Sequence, residues 1–397
     1  MSTCGLGGVT SLMTAAQVGN LLDVKRILAD EKLDSIHSED DVGRIALHYA
    51  VIGGQPVIVR ELLNADRTLV DHCDNFGCSA SLLAIVDSLP EVLSILFEFG
   101  ANPNLVDAAK HPLLHWAVAW GHVTCVAVIL QQATSLAALP DLFECHPLHY
   151  AAQLTDENVG GEIVNLLLAN GAVVDCADLD RRTPLMWAAS AGNYETCQLL
   201  LAAGASPTSR DVDGLSALHC AAARGHARVC ALLLSSAEQG NGDTSTNKEC
   251  GRIEAADCDA TDRNGATPLC YAATLGHAHC CRQLLAAGAH DQKLRCAAHY
   301  AAAKAQLSAL KMLAQFGASF EMQNHRGDLP VHEAVQTGSA DVVEWLLSIE
   351  PSTVDAVNHH GRSGLHLAAA NGSLEICRIY RAAECAMNPL MLLKVKS

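Results

Sequence analysis

Apolar residues along this chain fall three or four positions apart, a helical rhythm and not the alternation of a strand. Val126, Ile129 and Leu130 make one such face, and Val164, Leu167 and Leu168 another. Val229, Leu233 and Leu234, and Val343, Leu346 and Leu347, continue the series. Before each of these faces stands a shorter, Ala-rich apolar burst, and a glycine separates the two: Gly19, Gly54, Gly121, Gly192, Gly225, Gly276, Gly338 and Gly372. A glycine there ends a helix in the left-handed conformation, so each unit of pattern predicts two helices. Neither could bury its face alone, and neighbouring pairs must stack on one another. Ahead of most short bursts an Asp or Asn is followed three residues later by Gly, as in Asp40–Gly43, Asp74–Gly77, Asp211–Gly214, Asp262–Gly265, Asn324–Gly327 and Asn358–Gly361. That pairing predicts a tight turn, the side chain holding its own backbone while Gly accepts positive φ.

The short burst is a recurring phrase. It reads TSLMTAA at 10–16, IALHYAV at 45–51, SASLLAI at 79–85, PLLHWAV at 112–118, HPLHYAA at 146–152 and TPLMWAA at 183–189. SALHCAA (216–222), TPLCYAA (267–273), CAAHYAA (296–302), LPVHEAV (329–335) and SGLHLAA (363–369) follow. The starts are 35, 34, 33, 34, 37, 33, 51, 29, 33 and 34 residues apart. With T-P-L-H-x-A-A at a period near 33, residues 9–380 closely resemble the ankyrin-repeat family. The resemblance implies an all-α solenoid of about 11 stacked helix-turn-helix repeats with β-turn fingers: repeats 1–7 over residues 1–234 and repeats 8–11 over 258–380. The spacing of 51 places a polar insertion at 235–257, which reads as a flexible loop. The spacing of 37 adds residues around Thr155–Val159 between two helices. The spacing of 29 shortens the finger of repeat nine, between Gly288 and Cys296. Past Tyr380 the pattern breaks, so 381–397 is expected to be an atypical end to an incomplete last repeat.

Composition removes alternatives. Half of the residues are apolar and 17% charged, too apolar for a disordered chain. The formal net charge of −17 opposes wholesale binding of nucleic acid or anionic membrane. Residues 111–140 carry no Asp, Glu, Lys or Arg, yet their apolar positions follow the repeat and no membrane insertion is expected. The 17 cysteines are odd in number and scattered, which fits small hydrophobes in a reducing compartment better than a disulfide framework. GHAHCC (His277, His279, Cys280, Cys281) imitates a zinc motif, but its residues occupy ordinary repeat positions. DCDATDRNG (257–265) imitates a calcium loop and fails in register, with Pro268 where a bidentate Glu is required. His48, His115, His149, His219, His299, His332 and His366 share one repeat position, where the family resemblance implies bridges between fingers. No catalytic, cofactor-binding or metal residue is assigned, and no enzyme activity is expected.

Function then falls to positions the repeat leaves open: finger tips and the last residues of each first helix, which in ankyrin arrays line the concave face. Here those slots hold an apolar strip, Phe76, Trp120, Leu142, Phe143 and Leu154, and an arginine row, Arg182, Arg224, Arg263, Arg326 and Arg362, accompanied by His325, His359 and His360. Aromatics anchor protein contacts, and arginines recognise carboxylate or phosphate bidentately. The expected role is a monomeric scaffold or adaptor for protein partners in the cytoplasm, with cilium or nucleus compatible. The alternative is a regulatory or targeting subunit of a phosphatase or ubiquitin ligase. The Trp-Ala and Tyr-Ala pairs in PLLHWAVAWGH, HPLHYAAQ and TPLMWAASAGN are similar to the arrays of inversin-type proteins, which implies cilium- or Wnt-related signalling.

Overall fold

The computed structural model describes residues 7–30, 35–107, 110–235, 256–289 and 296–387. Among them are twenty-two α-helices, in eleven pairs, with a few 3-10 turns and no strand. The fold is the ankyrin-repeat solenoid expected. Most of the 235–257 insertion and the shortened finger of repeat nine lie outside the described residues.

Local chemistry starts each first helix. The Thr10, Ser79 and Thr267 hydroxyls accept the N–H groups of Met13, Leu82 and Cys270, satisfying donors that a helix start leaves open. Pro147, Pro268 and Pro330 occupy the first turn, where a missing N–H is harmless. Glycine then stops the helix. Gly192 (φ 84°) and Gly225 (φ 83°) are left-handed, and a methyl group on either would strike the imidazole of His226 or His277, which lies on it. Those histidines begin the second helices, Ala227–Ser235 and Ala278–Ala286, so His277 packs as part of the array.

The chain divides into two compact units, one comprising residues 1–184 with 195–205, the other 185–194 with 206–397. The division runs through repeat six. Within each unit the first helix of one repeat lies against the first helix of the next. Alanines make that approach possible: Ala50, Ala84, Ala117 and Ala151 in the first unit, and Ala221, Ala272, Ala301 and Ala334 in the second, have no exposed surface. Second helices supply the larger side chains, with Val59, Leu62 and Leu63 or Val343, Leu346 and Leu347 buried between neighbours. Leu168 and Leu234, expected in the same faces, are only half-buried.

Two expectations about irregular segments change. The residues added near Thr155–Val159 do not simply lengthen a loop: the second helix of repeat five begins at Glu157 and runs thirteen residues to Ala169. The Asp156 carboxylate accepts the N–H groups of Asn158 and Val159, so the added residues form a capped extra turn. The last helix, Leu374–Met387, passes Tyr380 without stopping. Tyr380 is fully buried, its hydroxyl seated against Gly364, where a Cβ would collide with it. An aromatic thus fills the place of the missing Leu-Leu face, and the absent pattern reflects a different filler.

Candidate functional site

Each finger is built by one side chain. In the first unit Asp74 Oδ1 accepts the N–H groups of Phe76 and Cys78, both at 2.9 Å, and Asp141 does the same for Phe143 (2.8 Å) and Cys145 (3.0 Å). In the second, Asp262 holds Asn264 and Ala266 (2.8 and 2.7 Å), and Asn358 holds His360 and Arg362 (both 3.0 Å). In four fingers the other carboxylate oxygen reaches the first helix nine residues on. Tyr49 donates to Asp40 (2.7 Å), Trp116 to Asp107 (3.1 Å), Tyr150 to Asp141 (2.7 Å) and Tyr271 to Asp262 (2.9 Å). Repeat ten reverses the polarity: Asn324 Nδ2 donates to Glu333 Oε1 (3.1 Å). Burial would raise the Asp40 carboxyl, but the Arg44 N–H, the Tyr49 hydroxyl and the Val42 N–H hold it below its ordinary range. Burial and the same hydrogen bond push Tyr49 up to about 12.

The shared histidines join finger to finger within each unit. His48 Nε2 donates to the Cys78 carbonyl (3.2 Å), His115 to Cys145 (2.9 Å), His149 to Arg182 (2.9 Å), His219 to Ala266 (3.4 Å) and His299 to Asp328 (2.9 Å). Their Nδ1 atoms accept backbone N–H groups at the helix start, as from Ile45 to His48 and Ser216 to His219. With one nitrogen donating and the other accepting, the ring is neutral. Burial pushes His48, His115 and His219 down to about 4, although each carbonyl partner opposes the shift. His115 differs in one respect: its cap residue is Pro112, which has no N–H, and Nδ1 has no partner. These histidines are architecture.

With turn residue and histidine engaged, the side chains one and two places after the turn residue project freely. In the first unit these are Phe76 (62% exposed), Leu142 (58%) and Phe143 (56%). Leu179 (57%) occupies the slot of Leu142 one finger later, and its N–H donates to the Phe143 carbonyl at 3.2 Å. Leu179 is not among the residues expected from the sequence, although counting from Asp178 finds it. Trp120, half-exposed, stacks on His122 at the end of a first helix. Leu154 is only partly exposed and lies against Gly160, which removes it from the open strip.

The arginines are not one row. Arg263 stands one place after its turn residue, Arg326 two places, Arg182 and Arg362 four, and Arg224 ends a helix. Arg182 is already matched: Nε lies 2.9 Å from Asp178 and Nη2 3.1 Å from Asp180. Arg224, Arg263, Arg326 and Arg362 are exposed and form no ion pair among the described residues. His146, His149 and Cys176 bring potential metal ligands within 4.8 Å of one another. Both His149 nitrogens are engaged, by the Arg182 carbonyl and the His146 N–H, so two donors remain where a structural zinc takes four. Burial pushes the Cys145 thiol up to about 11 and Cys197 and Cys281 up to about 12, which keeps them protonated and apolar. Among the described residues no helix is long and apolar enough to cross a membrane.

The family described as Ankyrin repeats (3 copies) matches residues 12–107, 148–244, 241–324 and 298–385. Ankyrin repeat protein nuc-2 of Neurospora crassa is 35% identical over 160 residues, covering 40% of this chain and 14% of that protein. Putative E3 ubiquitin-protein ligase XBAT31 of Arabidopsis thaliana is 28% identical over 187 residues, 44% of this chain and 40% of that protein. The chain therefore spans less than half the length of these relatives. The crystal structure of the human ASB11 ankyrin repeat domain superposes with a TM-score of 0.49 at 24% identity, over 60% of this chain and 98% of that domain.

Proposed function

The chain belongs to the ankyrin-repeat family, and from that premise we propose that it is a non-catalytic scaffold that grips protein partners through its finger tips. The observation that carries the reading is the apolar row of the first unit. Phe76, Leu142, Phe143 and Leu179 are more than half exposed on fingers whose backbones are fully tied down. A rigid turn that presents a large apolar side chain loses little entropy on binding, and such side chains are the usual anchors of protein interfaces. The position of this scaffold in cilium- or Wnt-related signalling is part of the proposal, supported by the Trp-Ala and Tyr-Ala pairs of repeats four to six.

Affinity capture with the wild type beside a Phe76→Ala/Trp120→Ala/Phe143→Ala variant tests it. The variant keeps the wild-type unfolding temperature and loses the captured partner; undiminished capture by a folded variant refutes the finger-tip assignment. The second reading, a regulatory or targeting subunit of an enzyme complex, is favoured by the 28% identity to a putative E3 ubiquitin-protein ligase. It predicts a partner that co-purifies in fixed stoichiometry.

A further inference from the structure

The last two fingers have a different chemistry. Their tips carry His325, Arg326, His359, His360 and Arg362, all exposed. The fingers are linked directly, the His359 N–H donating to the Arg326 carbonyl at 3.1 Å, so Arg326 and His360 occupy the same slot on adjacent fingers. Two carboxylates of these fingers are engaged within the array, while Glu321 and Asp355 on the flanks are exposed. Asp328 is 2% exposed and accepts Asn358 Nδ2 at 2.8 Å, and Glu333 accepts Asn324 Nδ2. In the first unit Arg44 meets the turn residue Asp74 at 3.1 Å and Arg182 meets Asp178. At 324 and 358 the turn residue is asparagine, and Arg326 and Arg362 are left without a carboxylate. Outside the finger tips, Glu321 accepts the Ser352 hydroxyl.

We propose that fingers ten and eleven form a docking site for a short acidic peptide segment, its carboxylates received by Arg326 and Arg362, with His360 on the finger of Arg362. The inference rests on the fingers being the contact surface, but it concerns other residues than the apolar row. A chain of net charge −17 repels an extended polyanion or an anionic membrane beyond these two fingers, whereas a short segment meets only the local positive tips. Packed helices of adjacent repeats lie roughly 10 Å apart, and an extended peptide advances about 3.3 Å per residue. Acidic residues three positions apart therefore match neighbouring fingers. The guanidinium fork suits the planar carboxylate.

Fluorescence anisotropy on the full chain tests this with a labelled eight-residue Gly/Ser peptide bearing two glutamates three positions apart. Saturable binding that weakens with added salt is expected, with at least about tenfold loss for Arg326→Ala/Arg362→Ala and for the glutamine version of the peptide. Arg326→Lys/Arg362→Lys retains charge without the fork and falls between. Phe76→Ala/Phe143→Ala binds this peptide like the wild type, which separates the inference from the apolar-row reading. Equal binding of the glutamine peptide, wild-type binding by the double Ala variant, or tighter binding of anionic vesicles or duplex DNA than of the peptide overturns it. No binding by the wild type overturns it as well, and leaves the apolar row to its own test.

Discussion

Three fingers of each unit share one frame and carry opposite chemistry on their tips. In the first, Asp74, Asp141 and Asp178 each hold a turn whose free positions are Phe76, Leu142, Phe143 and Leu179. In the second, Asp262, Asn324 and Asn358 hold turns that end in Arg263, Arg326, His359 and His360. The hydrogen-bond frame is indifferent to the difference, because it uses one side-chain oxygen, two backbone N–H groups and a histidine, none of which senses the tip. A solenoid can thus vary its contact chemistry repeat by repeat at almost no structural cost. The turns vary as well: in the first unit Gly43 and Gly77 serve two fingers while Lys110, Glu144 and Arg181 adopt left-handed φ of 62°, 55° and 61°, and in the second Gly214, Gly265, Gly327 and Gly361 serve.

Acid tests what the units share, and its effect is the largest. His48 and His115 in the first unit and His219 in the second have folded pKa values of about 4, below the ordinary 6.5. Folding therefore favours the neutral ring; its stabilisation is complete above pH 6.5 and is lost as pH falls from 6.5 towards 4. At about 1.4 kcal/mol per pH unit, each loses on the order of 2 kcal/mol by pH 5. Both units should melt at lower urea concentration at pH 5 than at pH 7.5, by circular dichroism. A midpoint independent of pH would break the claim that the histidine frame is common to both.

Tyr150→Phe probes one frame. It leaves the Asp141 Oδ2 without the tyrosine donor and should destabilise the first unit by about 1–3 kcal/mol, read by hydrogen exchange in repeats four to six, with repeats eight to eleven unchanged. Equal loss in both units would mean that they unfold together. The smallest effect is a gain. Glu144→Gly relieves a left-handed L-residue and should stabilise by about 1 kcal/mol, net of the glycine's extra unfolded-state entropy. A loss of stability would show that the Glu144 side chain supports the finger.

The stacked pairs were plain in the sequence because burial imposes their period everywhere. The finger frame was half legible. The turn Asp or Asn and the repeated histidine stood out, but the link from Asp to a tyrosine or tryptophan nine residues later did not, since each partner already had a place in its own motif. Repeat ten shows how it could be found: Asn324 and Glu333 change together in the donor–acceptor sense required. Of the apolar tips expected from the sequence, Phe76, Trp120, Leu142 and Phe143 are exposed, Leu154 is only partly so beside Gly160, and Leu179 is an exposed tip outside that expectation. The arginine row looked uniform because slots were compared by region; counted from the turn residue, Arg182 and Arg326 differ, and only the structure reveals that Asp178 and Asp180 already hold Arg182.

The central claim is that position on a finger, and not apolar exposure alone, makes a contact residue. Val57 on a second helix is 57% exposed and Leu22 81%, against 56% for Phe143. A photo-crosslinking phenylalanine analogue placed singly at each of these positions and at Phe76, in the full chain in cells, compares them directly. The account predicts discrete covalent protein adducts from positions 76 and 143 and none from 22 or 57. Adducts of the same partner from position 22 or 57 at equal yield, or none from 76 and 143, would contradict it.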